Sequence, residues 1–127
     1  MNLNTPTHIK TIHLYNLPDG SCTFDIGIIP NSTHLPATHF FAQTHIEAYQ
    51  KVAHPAPRKQ FVVTLTGKLK FMVTNGDSFI IEPGILLIAE DIHGAGHTWV
   101  LLEGETWNRL YIPYPDGAAT HFIKDTI

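Results

Sequence analysis

QFVVTLTGKLKFMVTNGDSFIIEPGILLIA, residues 60–89, is the stretch that decides the fold. Residues 60–66 are almost continuously apolar or β-branched, the pattern of a strand covered on both faces. Gly67 ends it. Residues 68–74 then alternate: Leu69, Phe71 and Val73 share one face, and Lys68, Lys70 and Thr74 share the other. That period of two predicts a half-exposed strand. Asn75–Gly76 is the strongest hairpin signal in the chain and predicts a type I′ turn, with φ > 0 at both central positions. Residues 78–81 return, Pro83–Gly84 turns, and residues 85–89 form a second strand buried on both faces.

Outward from this centre the same rhythm continues. Turn formers recur at Pro18–Asp19–Gly20, Pro30–Asn31, Pro55 and Pro57, Gly94 and Gly96, Gly104, and Pro113 to Gly117. Between them lie short runs rich in Ile, Val, Thr and Phe: residues 9–15, 24–29, a segment within 40–52, 96–102 and 107–112. About nine or ten strands result, too many for one flat open sheet of this size, so a closed or two-layered barrel is expected. The best helix candidate is a short turn within residues 118–125.

Composition bounds the rest. The 127 residues suit a single domain, 1–127, with 43% apolar and 10% aromatic residues to build a core. Charged residues are only 15%, which suggests that part of the outside is hidden in an oligomer, with a homodimer expected. A net charge of −3 argues against nucleic acid or an anionic membrane as partner. The apolar runs 79–81 and 85–89 are broken by Glu82–Pro83–Gly84 and are too short to cross a bilayer. With no leader pattern in residues 1–10, the chain reads as a soluble cytoplasmic protein. Cys22, the only cysteine, reads as a small buried hydrophobe.

Residues 54–99 resemble the cupins, small β-barrels of the jelly-roll type. The first cupin motif runs His, any residue, His, three residues, Glu, six residues, Gly. The matching frame is His54, Ala56, Gln60 and Gly67, correct in spacing but with Ala56 in place of the second His and Gln60 in place of the Glu. The second motif is matched by Pro83–Gly84 and the apolar strand 85–89. Its His position falls on Ala95, flanked by His93 and His97. The chain also resembles a subgroup of small single-domain, mostly uncharacterised cupins that carry HxAPRxQ and EDxxGxGH segments, found here at residues 54–60 and 90–97. The resemblance implies an all-β, double-stranded β-helix barrel with a central site. It implies no substrate, because this fold hosts many chemistries.

Alternation places His54, Ala56, Arg58 and Gln60 on one face, with Pro55 and Pro57 opposite. Prolines cannot donate to a ladder, so the segment belongs at a rim, where a ligand mouth sits. The expected ligand pocket is His54, Arg58, Gln60, His97 and Trp99, facing a small organic molecule. Two readings of its centre stand open. In one, His54, Gln60 and His97 hold a divalent transition metal (Fe, Zn, Mn or Ni), with His93, His45 or Glu90 as stand-in ligands. In the other, the same residues form a hydrogen-bonded cluster without an ion. Arg58 either captures a substrate carboxylate or phosphate, or pairs within the chain. Glu90 and Asp91 are adjacent and point opposite ways, so a paired-carboxylate site is not expected. His8, His13, His34 and His121 read as surface. The functional expectation is a small-molecule cupin, either a metal-assisted enzyme of dioxygenase or isomerase type or a metal-free binding protein without turnover.

Overall fold

The computed structural model describes residues 7–46 and 52–125. Among them are ten strands and no helix: β1 (His8–Asn16), β2 (Cys22–Pro30), β3 (Phe41–Gln43), β4 (Gln60–Thr64), β5 (Lys68–Met72), β6 (Ser78–Ile81), β7 (Leu86–Ala89), β8 (Thr98–Glu103), β9 (Arg109–Pro113) and β10 (Ile123–Lys124). They form a seven-stranded sheet, ordered β10-β2-β1-β7-β4-β9-β3, and a three-stranded sheet, ordered β6-β5-β8. Among the described residues each sheet ends on unpaired edges and no hydrogen-bonded ring closes, so the arrangement is a two-layered β-sandwich. Four connections pass between the layers, from β4 to β5, β6 to β7, β7 to β8 and β8 to β9.

The unbroken apolar run of β4 has a simple cause. Val62 points between the sheets into a core with Leu14, Leu69, Phe71, Leu87 and Trp99. Phe61 points the other way, against Ile29, Ile88 and Tyr114. Leu35, Ala118 and Phe122 pack over that second cluster. β5 lies at one surface and alternates, with Leu69 and Phe71 buried and Lys70 and Met72 exposed.

Two local expectations change. The β5–β6 turn is not type I′. The Gly76 amide donates to the Val73 carbonyl at 2.9 Å and Gly76 has φ 91°, while Asn75 keeps negative φ. A tight turn across Val73–Gly76 followed by a left-handed glycine returns the chain instead. Residues 118–125 hold no helix, because Ile123 and Lys124 pair with Ile28 and Gly27 as the edge strand β10. The segment expected within residues 40–52 is the short β3, and residues 47–51 lie outside the described part. Among the described residues no helix is long and apolar enough to cross a membrane.

Candidate functional site

A cavity of about 140 Å³ opens between the sheets at one end of the sandwich. Phe41, Phe71, Trp99, Trp107 and Tyr111 build its apolar wall, and Gln43, His54, Arg58, Gln60 and His97 supply its polar groups. Each of the five pocket residues expected from sequence lies on this lining.

Strand parity accounts for Gln60, which shares the inward face of β4 with Val62 and is 3% exposed. Arg58 sits at the exposed mouth. Its Nη1 donates to Gln60 Oε1 at 3.1 Å, and its guanidinium lies 5.6 Å from the Phe41 ring centre. Arg58 therefore pairs within the chain, with Gln60. His54 is half-buried and joins His97 through two backbone hydrogen bonds of 3.1 and 3.0 Å. This antiparallel bridge depends on Gly96, whose φ is +73° and where a Cβ would lie 2.0 Å from the His54 carbonyl oxygen. A glycine is required on both counts. The two imidazoles end 4.9 Å apart, with His54 Nδ1 bonded to the Val52 carbonyl at 2.8 Å.

His97 is 7% exposed, and its Nδ1 bonds to Asp91 Oδ2 at 2.5 Å. Asp91 is fully buried, and its Oδ2 also accepts from the Cys22 thiol at 3.4 Å. Burial pushes that thiol well above its ordinary range, and the Asp91 charge adds to the effect. Asp91 Oδ1 is buried with no hydrogen-bond partner, an unusual state for a carboxylate oxygen. Because Asp91 engages Nδ1, Nε2 is the ring nitrogen left to act on the cavity's contents.

Glu90 faces the opposite side of the sheet and cannot stand in as a cavity ligand. It accepts from His13 Nε2 at 2.6 Å and from the Tyr114 hydroxyl at 2.7 Å. The His13 bond, with Tyr114 adding, holds the Glu90 carboxyl below its ordinary range despite burial. His13 is thus half-buried and paired, not a surface residue. His93 is exposed, and its backbone is tied to the Asn16 side chain. His45 is also exposed, and its carbonyl accepts from Arg109. Of the three stand-in ligands, none lines the cavity.

The divalent ion implied by the cupin resemblance does not fit His54, Gln60 and His97. The oxygen donor of that set, Gln60 Oε1, already faces the Arg58 guanidinium. Among the described residues no carboxylate lines the cavity. A 2+ charge would sit beside the Arg58 guanidinium with no anionic ligand of its own, Asp91 acting only through its bond to His97. A different group, Cys22, Asp91 and His97, could hold a metal ion, since one donor atom from each lies within 4.8 Å of the others.

Sequence reasoning missed Arg109, which is 1% exposed behind the cavity wall. Its guanidinium donates to Tyr111 Oη (2.8 Å), the Trp107 carbonyl (2.8 Å), the His45 carbonyl (3.0 Å) and Gln43 Oε1 (3.1 Å). It also stacks 4.2 Å from the Trp107 ring centre. The available signal was parity: Trp107, Arg109 and Tyr111 share one face, and an Arg between two aromatics suits a cation–π stack.

Compared with known proteins, the chain matches no family model, no curated protein and no solved structure.

Proposed function

We propose that the chain is a cupin-type jelly-roll protein whose inter-sheet cavity binds a small organic anion carrying a flat ring. The observation that carries this reading is the cavity's composition: five aromatic walls with Arg58, Gln60, His54 and His97 converging on one opening. Mostly apolar lining with a few placed polar groups is the usual make-up of a small-molecule site. Trp99 and Trp107 offer ring faces, and Arg58 at the mouth offers a fork for a carboxylate. The Arg58–Gln60 bond favours binding without an ion at the position the cupin pattern would use.

Trp99 and Trp107 line the cavity, so their fluorescence reports occupancy. Benzoate should produce a saturable change and bind more tightly than neutral benzamide. Arg58→Ala should remove that preference. No saturable change with either probe, or a benzoate preference that survives Arg58→Ala, would overturn the reading.

One observation favours a second reading, in which the pocket turns its ligand over. Asp91 holds His97 by Nδ1, an arrangement that leaves Nε2 as a base directed at the contents. Mass spectrometry of any ligand that passes the fluorescence test separates the two. Conversion that disappears in His97→Asn means an enzyme, and an unchanged ligand means a binding protein.

A further inference from the structure

We propose that Cys22, Asp91 and His97 form a binding site for a soft divalent transition metal of the zinc or cobalt(II) class. The site lies behind the cavity wall, apart from the position that the cupin pattern would use. It shares His97 with the cavity lining, while Cys22 and Asp91 lie off that lining.

Two segments remote in sequence converge here, the start of β2 and the β7–β8 loop. Cys22 opens β2, Asp91 directly follows β7, and His97 directly precedes β8. Each is held by its backbone. The Cys22 amide donates to Thr74 Oγ1 at 2.8 Å, the Asp91 carbonyl accepts from the Ala56 amide at 2.9 Å, and His97 is locked to His54 by the bridge above. The donors are therefore set by the fold rather than by long side chains searching for a partner.

Chemistry selects the metal class. Thiolate, carboxylate and imidazole together suit zinc and its neighbours, and three protein ligands leave a fourth place for water. Charge selects this trio over the His54 set. A thiolate and a carboxylate cancel a 2+ ion in full, whereas two imidazoles and an amide supply no charge to offset it. Bond lengths of about 2.0–2.3 Å separate neighbouring ligands by about 3–4 Å. The 3.4 Å from Cys22 Sγ to Asp91 Oδ2 already falls in that range. The His97–Asp91 hydrogen bond must open by about 1 Å to admit the ion.

The second, independent pointer is Asp91 Oδ1. It is a buried carboxylate oxygen with no hydrogen-bond partner among the described residues. A buried carboxylate oxygen without a partner costs free energy unless another group supplies the missing interaction. A cation bound through both Asp91 oxygens would supply it.

The proton balance is simple. The Cys22 proton leaves to solvent as the thiolate binds, and the His97 proton moves from Nδ1 to Nε2 as Nδ1 takes the ion. One proton is released per ion, and no oxidant or reductant is needed. Because Cys22 and Asp91 extend from the large sheet and His97 from the small one, the ion would staple the two layers together.

The test is a cobalt(II) titration of untagged protein, kept reduced without a chelating thiol. Wild type should take up one equivalent and develop a near-ultraviolet thiolate-to-cobalt charge-transfer band. Cys22→Ser should lose the band and weaken binding by about a hundredfold or more, since even losing a residue that only orients a ligand costs about 10–100-fold. Asp91→Asn should weaken it comparably. His93→Ala, an exposed imidazole on the same loop, should bind like wild type. Zinc should raise the thermal midpoint of wild type but not of Cys22→Ser. Circular dichroism checks each fold, and Cys22→Ala serves if the serine variant fails to fold. The proposal is overturned if wild type shows no band, or if the band survives in Cys22→Ser. It is equally overturned if binding persists in Cys22→Ser and is lost in His54→Ala, which would put the ion in the cavity.

Discussion

Arg109→Met should destabilise the protein by about 2–4 kcal/mol, and the figure follows from what methionine leaves behind. The wild-type guanidinium is 1% exposed and donates to two carbonyls, a phenol and a side-chain amide. Gln43 and Tyr111 can turn to new partners. The Trp107 carbonyl cannot, and its bond is fully buried. Orphaning it costs about 1–3 kcal/mol, and the part-exposed His45 carbonyl about 1 kcal/mol. Loss of the stack on Trp107, 4.2 Å away, removes about 1–2 kcal/mol more. Against this, methionine recovers the cost of desolvating a guanidinium, a relief that in other buried charges has offset much of the loss. Here the acceptors stay in place when the donor goes, so the loss prevails. Total stability for such a domain is about 5–15 kcal/mol, making the effect a large fraction of it. Urea unfolding followed by tryptophan fluorescence should show a midpoint lower by about 1–2 M, for an m-value of about 2 kcal/mol/M. Arg109→Lys, which keeps the charge and a single donating nitrogen but not the planar fork, should fall between. A midpoint within about 0.3 M of wild type for Arg109→Met would refute the assignment of Arg109 as the tie that fixes the cavity wall.

Gly96→Ala should cost at least about 2 kcal/mol, because a left-handed alanine costs about 1–2 kcal/mol before the clash with the His54 carbonyl is counted. Thermal unfolding reads the stability, and loss of benzoate-induced fluorescence reads the displaced His54–His97 bridge. Glu90 contributes to acid sensitivity. Its folded-state pKa lies below the ordinary 4.5, so its contribution is present above that value and is lost as pH falls through the folded-state value. Between about pH 6 and about pH 3, wild type should therefore lose more stability than Glu90→Gln in parallel urea titrations. Equal losses would remove Glu90 from the account.

Much of the fold was legible because it rests on local pattern. Nearly every expected strand appears, at bounds shifted by one or two residues, since period-two alternation and turn glycines are properties of the chain itself. The helix candidate failed at Ile123–Lys124 because β2 had an open edge there, and an open edge is a tertiary fact. The Asn75–Gly76 turn was right in place and wrong in type. Dipeptide preference ranks turn types, but the Met72–Ser78 register leaves a longer connection than a two-residue type I′ turn fills.

The site divides in the same way. His54, Arg58, Gln60, His97 and Trp99 lie together because side-chain parity and motif spacing survive folding, and both can be read from one dimension. The partition of Glu90 and Asp91 to opposite faces follows from the same alternation. Which partners they meet does not. His13 and Cys22 arrive through the β1–β2 hairpin and the parallel β1–β7 pairing, and Tyr114 through the pairing of β9 with β4 and of β4 with β7. Cys22 carried no sequence signal beyond its hydrophobicity, and only the register of β2 against β1 brings it to Asp91 and His97. Local sequence thus determined the strands, their buried faces and the rim of the cavity, since each depends on neighbours along the chain. Tertiary structure decided the number of layers, the burial of Arg109 and the meeting of thiol, carboxylate and imidazole, because those depend on long-range pairing that no local period encodes.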